Sequence, residues 1–105
     1  MNQPSHVKVR VVLPYHLRNL AGIQGDIVLE VVQPCTLGVL LDSLEKSYPT
    51  LRGTIRDHGS LKRRPLVRFF ACEEDISKEG YNFPLPEKVV RGQEPFFVVG
   101  AIAGG

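Results

Sequence analysis

Alternating apolar and polar residues mark two strands near the start of the chain. His6–Leu13 reads HVKVRVVL and Asp26–Val32 reads DIVLEVV, with apolar side chains at every second position. This period of two is typical of a strand that buries one face. About a dozen residues join the two stretches, too few for a long helix, so we predict an antiparallel pair. Leu17 and Leu20 in this connection are expected to cap the core.

A different period begins at Thr36. In TLGVLLDSLEKSYP the apolar residues recur at helical spacing, which predicts a helix with one apolar face. Thr36 is a suitable N-cap, and Pro49 is expected to end the helix near Tyr48. A helix with a single apolar face packs across one side of a sheet.

The stretch Leu51–Pro65 is basic and contains little that is expected to belong to the core. Asp57 interrupts its positive charge and no aromatic residue lies within it. Nucleic-acid sites combine clustered cations with stacking surfaces, so the stretch is expected to be a solvated loop. An alternative is that it docks on an acidic patch of a partner enzyme. Its cations are Arg52, Arg56, His58, Lys62, Arg63 and Arg64.

Two further strands are predicted at Leu66–Cys72 and Glu94–Gly100, where alternation resumes. The inward residues are then Val67, Phe69, Ala71, Phe96 and Val98, and the outward residues are Leu66, Arg68, Phe70, Phe97 and Val99. Between these strands, residues 72–93 are rich in turn-forming residues. We expect a solvated turn at Glu73–Asp75 and room for one short strand or helical turn near Leu85–Val89.

This order of elements predicts an α+β fold, with a mixed four- to five-stranded sheet packed on one main helix. We expect one domain across residues 1–105, with residues 101–105 as a flexible tail. The last strand is expected to run beside the first in the middle of the sheet. One helix covers only one face of such a sheet, so the other face is left to solvent or to a partner.

The face without the helix is predicted to group apolar residues beside an arginine. Apolar clusters on a solvated face usually mark an interface, and the arginine suits an acidic residue of a partner. Two alternatives stay open: Phe97 and Val99 form the core pair instead, or residues 72–93 fold over the patch. The predicted face consists of Val12, Arg68, Phe70, Phe97 and Val99.

Charge and motifs exclude several classes of function. The net charge of +2 is small for a nucleic-acid binder, and the chain shows no signal peptide and no apolar run long enough for a membrane. We therefore expect a cytoplasmic protein with two reduced cysteines.

Cys35 precedes the predicted helix, whose dipole is expected to acidify it slightly, and Cys72 is expected to be a structural thiol. Metal-ligand spacing, a phosphate-binding loop and a nucleophile–base pair are all lacking, so no metal site or independent enzyme is expected.

The last eight residues, VVGAIAGG, are small or apolar and carry no charged side chain. The small or apolar side chains of Ala101, Ile102 and Ala103 would let the chain thread a narrow channel, and Gly104 and Gly105 let another backbone approach closely. The group delivered is the Gly105 carboxylate. It is inert toward nucleophiles until it is joined to a good leaving group such as a nucleotide phosphate. The chain would then be a substrate and carrier for partner enzymes.

With this tail on this order of elements, the chain resembles the ubiquitin-like β-grasp sulfur carriers of the MoaD/ThiS family. That family includes the small subunit of molybdopterin synthase and the thiamine sulfur carrier. VKVRVVLPYHLRNLAG is similar to the family's first strand and short helical segment, TLGVLLDSLEKSYP to its helix, and VVGAIAGG to its tail. The resemblance implies a β-grasp fold without a bound cofactor.

The resemblance also implies chemistry and partners. A ubiquitin-activating-type enzyme would use ATP to adenylate Gly105, and a sulfur donor would convert it to a thiocarboxylate. The sulfur would then pass to a synthase in the biosynthesis of molybdopterin, thiamine thiazole or cysteine. Two alternatives remain. The chain is a ubiquitin-like modifier conjugated through Gly105, or it is a non-covalent interaction module that uses the Phe70/Phe97 face.

Overall fold

A computed structural model describes residues 6–100 of the chain. Its sheet has five strands in the order β2-β1-β5-β3-β4. Strands β1 and β5 are parallel and lie next to each other, whereas the other neighbours are antiparallel. The prediction of a mixed sheet with the last strand beside the first is therefore confirmed. The strands are β1 (His6–Val12), β2 (Ile27–Val32), β3 (Val67–Ala71), β4 (Glu74–Asp75) and β5 (Phe96–Gly100).

Helix α2 (Leu37–Ser47) is the main helix, and it begins and ends where the apolar period predicts. The hydroxyl of Thr36 accepts a hydrogen bond from the backbone N–H of Val39 at 3.2 Å, as expected of an N-cap. A single 3₁₀ turn, Pro49–Leu51, follows it. A short helix, α3 (Glu87–Val90), occupies the place where one short strand or helical turn was expected, near Leu85–Val89.

The connection between β1 and β2 forms a helix of seven residues, α1 (Tyr15–Ala21). It ends at Gly22, which has a φ of 71°, a left-handed conformation that glycine adopts without steric cost. Leu17 points into the core as expected, but Leu20 is 49% exposed, so its predicted role in the core is wrong. On a helix this short only one narrow stripe of side chains can face inward.

The core lies between α2 and one face of the sheet. Alternating residues of the strands point into it, which confirms the inward residues predicted for β3 and β5 and the alternation predicted for β1 and β2. At its centre the rings of Phe69 and Phe96 lie 5.6 Å apart, a normal distance for a favourable aromatic pair. The helix contributes Leu37, Leu40, Leu41 and Leu44.

The stretch Leu51–Pro65 corrects one prediction. Leu51 and Ile55 are fully buried in the core, and Arg56 is only 4% exposed. The stretch is therefore not a solvated loop throughout. The 3₁₀ turn after α2 contacts both α1 and α2 and places Leu51 in the core. Ion pairs with Asp42 and Glu45 compensate the charge of Arg56.

Residues 72–93 pass the N-terminal end of α2 and leave the opposite sheet face uncovered. Phe83 and Tyr81 accept hydrogen bonds through their backbone carbonyls from the N–H groups of Leu37 and Gly38, at 2.8 and 2.9 Å. The Tyr81 ring lies so close to Gly38 that any Cβ at that position would collide with it. Within residues 6–100 no helix combines the length and apolar character that crossing a membrane requires.

Candidate functional site: the open sheet face and the base of the C-terminal segment

The sheet face opposite α2 brings together the five residues that alternation predicts. Across β3 and β5, Phe70 lies opposite Phe97 and Arg68 lies opposite Val99. Across β5 and β1, Phe97 lies beside Val12. Directly opposed residues in a sheet share a face and are close enough for their side chains to touch. The five side chains therefore belong to one continuous surface, hereafter the open face.

Apolar side chains of the open face remain in contact with solvent. Phe97 is 37% exposed and Val99 is 46% exposed, whereas Phe70 and Val12 are half-buried. The alternative in which Phe97 and Val99 form the core pair is thus wrong, because Phe96 and Val98 occupy the core. The alternative in which residues 72–93 cover the patch is also wrong.

A groove of about 400 Å³ runs over this apolar floor. Phe70, Phe97 and Val99 of the sheet form the floor, and Glu73 and Glu94, which lie outside the strands, complete the lining. Sequence reasoning missed both glutamates as parts of the surface. Glu73 was expected in a solvated turn, and nothing in the alternation indicates that this turn brings Glu73 to the groove beside Phe70.

The turn that carries Glu73 has an uncommon backbone. Cys72 and Glu73 connect β3 to β4 and have φ values of 51° and 69°. Both values lie in the left-handed region, as a two-residue hairpin of type I′ requires, and Asn and Gly are preferred there. The chain thus holds a glutamate at a position where glycine would be free of strain.

Arg68 of the open face and Arg10, two residues before Val12 in β1, both have partners within the chain. Arg68 pairs with Asp75 at 3.2 Å, so the arginine that was expected to meet an acidic partner residue has one within the chain. Hydrogen bonds from Ser77, together with Arg68, hold the pKa of the Asp75 carboxyl below its usual value. Arg10 donates to the backbone carbonyls of Gly92 and Gln93 at 3.1 and 3.0 Å.

Strand β5 ends at Gly100, where the C-terminal segment begins. A Cβ at Gly100 would lie 3.4 Å from Cε1 of His16, so α1 packs closely against the base of that segment. A second cavity of about 440 Å³ opens here, lined in part by His16, Arg64 and Leu66. Fully extended, the five residues beyond Gly100 would reach about 17 Å. The predicted site residues Ala101, Ile102, Ala103, Gly104 and Gly105 lie outside the described residues.

The two cysteines differ in their exposure, since Cys35 is buried and Cys72 is half-buried. Cys35 is buried, and burial raises the pKa of its thiol to about 11. The expected acidification by the helix dipole is therefore wrong, because desolvation of the thiolate outweighs the field of the helix end. Among residues 6–100, no three His, Cys, Asp or Glu side chains are grouped so that they could hold a metal ion.

The basic stretch is divided between the core and the surface. The guanidinium of Arg56 donates to Glu45 at 2.9 Å and to Asp42 at 2.8 Å, so it is not part of a free basic patch. Arg63 likewise donates to the backbone carbonyls of Ser77 and Val67. Two of the six predicted cations are thus engaged inside the fold, which weakens any reading of this stretch as a phosphate or nucleic-acid site.

The molecule has the ubiquitin-like β-grasp fold, in which a mixed sheet holds one main helix across one face. The sequence matches no known family model and no curated protein sequence.

Three solved structures illustrate the likeness. SAMP1 from Haloferax volcanii superposes with a TM-score of 0.72 at 16% identity, over 93% of this chain and 99% of that one. The BexX/CysO complex of Amycolatopsis orientalis contains a chain with a TM-score of 0.69 at 17% identity, over 92% of this chain and 99% of that one. CysO from Mycobacterium tuberculosis superposes with a TM-score of 0.68 at 23% identity, over 90% of this chain and 99% of that one. At these identities the likeness establishes the fold.

Proposed function

We propose that this chain is a sulfur-carrier protein that acts through the carboxylate of Gly105. The observation that carries the proposal is the direct run of the central strand β5 into the segment AIAGG, on a β-grasp fold. A strand fixed between β1 and β3 gives the segment a firm base. The small residues beyond it suit a narrow enzyme channel.

The chemistry requires partner enzymes, because the described residues provide no nucleophile with its base. In the first step a carboxylate oxygen of Gly105 attacks the α-phosphorus of ATP and pyrophosphate leaves. A hydrosulfide anion, HS⁻, supplied by a donor then attacks the carbonyl carbon, displaces AMP and loses its proton. The product is a thiocarboxylate, whose sulfur passes to an acceptor held by a synthase. The acceptor would belong to the biosynthesis of molybdopterin, thiamine thiazole or cysteine.

The proposal is tested by intact mass spectrometry. The chain is incubated with the adenylating enzyme encoded in the same genome, ATP and a sulfur donor. We expect a mass change equal to one oxygen-for-sulfur exchange, and no change in a variant that lacks Gly105. An unaltered mass with every such enzyme of the genome would contradict the proposal.

The open face is proposed to bind that adenylating enzyme and the synthase. Phe97→Asp would place a charge in the apolar floor, so we expect the KM for adenylation to rise about tenfold or more. Leu61→Asp is the control, since Leu61 is an exposed leucine on the helix side of the molecule, beside Asp42 of α2. Equal KM values for the two variants would remove the open face from the proposal.

A ubiquitin-like modifier is the second candidate, because a protein named as a small archaeal modifier is among the structures with this fold. The activated Gly105 carbonyl would then be attacked by a lysine amine and not by sulfur. Higher-mass conjugates of the chain in its host, lost on deletion of Gly105, would favour this candidate. If function survives deletion of Gly104 and Gly105 but not Phe97→Asp, the chain is instead a non-covalent module.

A further inference from the structure

We propose that the groove over Phe70, Phe97 and Val99 receives an arginine side chain of the partner protein. The inference deepens the proposed function, on which it rests in taking the open face as the surface that the partner covers. It assigns a chemical identity to the residue that the partner inserts there.

The floor of the groove is aromatic and exposed. Phe70 and Phe97 are directly opposed across β3 and β5, and Phe97 keeps 37% of its surface in contact with solvent. An apolar floor by itself suits an aliphatic side chain equally well. The walls of the groove decide between the two.

The walls carry negative charge that the described part of the chain does not neutralise. Glu73 and Glu94 both line the groove, and neither forms an ion pair with any other residue in the range 6–100. Asp75, by contrast, is already paired with Arg68. Arg10 turns its guanidinium to the backbone carbonyls of Gly92 and Gln93. An aliphatic guest would leave both glutamates beside an apolar group, whereas a cation would satisfy them.

Arginine fits this combination better than lysine does. Its planar guanidinium stacks on an aromatic face and still directs N–H groups sideways to carboxylates. Hydrogen bonds between guanidinium and carboxylate are among the strong ones and are often bidentate. A lysine ammonium is a compact and strongly hydrated charge, so it would lose more hydration on entering an apolar groove.

The groove is also continuous with the base of the C-terminal segment. Val99 lines the groove and is followed by Gly100, the last residue of β5. A partner that takes up the segment from Gly100 onward must therefore lie next to the groove. An arginine placed there would fix the distance and angle at which the segment enters the partner.

The first experiment needs no partner and follows backbone amide signals by NMR. The probe is the blocked peptide acetyl-Gly-Arg-Gly-amide, compared with the same peptide carrying uncharged citrulline. We expect saturable shifts at Phe70, Glu73, Phe97 and Val99 with the arginine peptide, at least about fivefold weaker with citrulline. The double variant Glu73→Gln/Glu94→Gln should weaken binding of the arginine peptide by a similar factor. The control is the double variant Glu74→Gln/Glu79→Gln, which removes two exposed carboxylates outside the groove and should leave binding of the arginine peptide unchanged.

The second experiment uses the adenylating enzyme. The double variant Glu73→Gln/Glu94→Gln should raise the KM for this chain about fivefold or more and leave kcat unchanged, because the two carboxylates contribute to binding and take no part in the reaction at Gly105. An unchanged KM, equal binding of the citrulline peptide, or shifts that are not localised to the groove would each overturn the inference. If the enzyme does not adenylate the wild-type chain, the proposed function fails, and the peptide experiment alone decides on the groove.

Discussion

At the scale of single residues, Arg56 shows why a charge run is a poor guide to the surface. Its side chain is 5% exposed and contacts Glu45, itself 10% exposed, and the more exposed Asp42. Burial by itself would lower the pKa of Arg56, but hydrogen bonds and charge from Glu45 and Asp42 raise it. Sequence patterns could not find these two ion pairs. Asp42 and Glu45 lie in helix α2, and they meet Arg56 only once the chain has folded.

Replacing Arg56 by alanine should be strongly destabilising. The change leaves Glu45 buried without its cation, a situation that costs about 3–5 kcal/mol of the free energy of unfolding. The measurement is urea unfolding at pH 7. The matched control is Arg52→Ala, an exposed arginine four residues earlier, for which the change should stay within about 0.5 kcal/mol. Similar losses in the two variants would show that the buried pair has no special weight.

Cys35 gives a second prediction at this scale. Because burial raises its pKa to about 11, the native thiol should resist iodoacetamide at pH 8, while the half-buried Cys72 reacts. Peptide mapping after alkylation checks this, and in urea both thiols should react. A folded-state pKa above the ordinary value of 9.0 stabilises the fold below about pH 9, and this contribution is lost as the pH rises through 11. Rapid labelling of Cys35 in the native protein would contradict the assignment.

At the scale of elements, regular alternation was enough to predict four strands and their inward faces, and helical spacing was enough to predict α2. Two elements and one connecting segment show the limit of such patterns. α1 is too short for a helical period to stand out, and β4 has two residues, which is less than one cycle of alternation. The path of residues 72–93 depends on long-range contacts such as that of Tyr81 with Gly38. For the same reason Glu73 and Glu94 were not recognised as neighbours of Phe70 and Phe97.

The turn between β3 and β4 supplies the prediction at this scale. Glu73 has a φ of 69°, so Glu73→Gly should relieve left-handed strain and stabilise the fold by about 0.5–1 kcal/mol. Glu74→Gly, one residue later in β4, should instead destabilise by a similar amount, since glycine weakens a strand. Thermal unfolding of the two variants separates these signs. If both are destabilising, the carboxylate of Glu73 stabilises the turn more than its backbone strain costs.

At the scale of the whole molecule, the fold and the proposed chemistry are held by different parts of the chain. Within residues 6–100, β5 contributes its last buried side chain at Val98, and we expect the core to need no side chain beyond Gly100. Stability should therefore be insensitive to changes beyond Gly100, while transfer chemistry depends on them. The open face connects the folded sheet with the C-terminal segment, since Val99 lies in β5, lines the groove and directly precedes Gly100.

This separation can be tested with a bulky residue in the segment. Ala103→Trp should leave the free energy of unfolding within about 0.5 kcal/mol of the wild-type value. If the segment threads a narrow channel to reach ATP, the same change should lower kcat/KM for adenylation by about a hundredfold, because even a small misplacement of the reacting carboxylate is costly. Thr50→Trp, an exposed position in the 3₁₀ turn after α2, serves as the control for added bulk. Full adenylation of Ala103→Trp would show that the small residues before Gly104 are not required for passage. The carboxylate of Gly105 would then have to be reached by an open approach, in which the groove beside Val99 contributes most of the recognition.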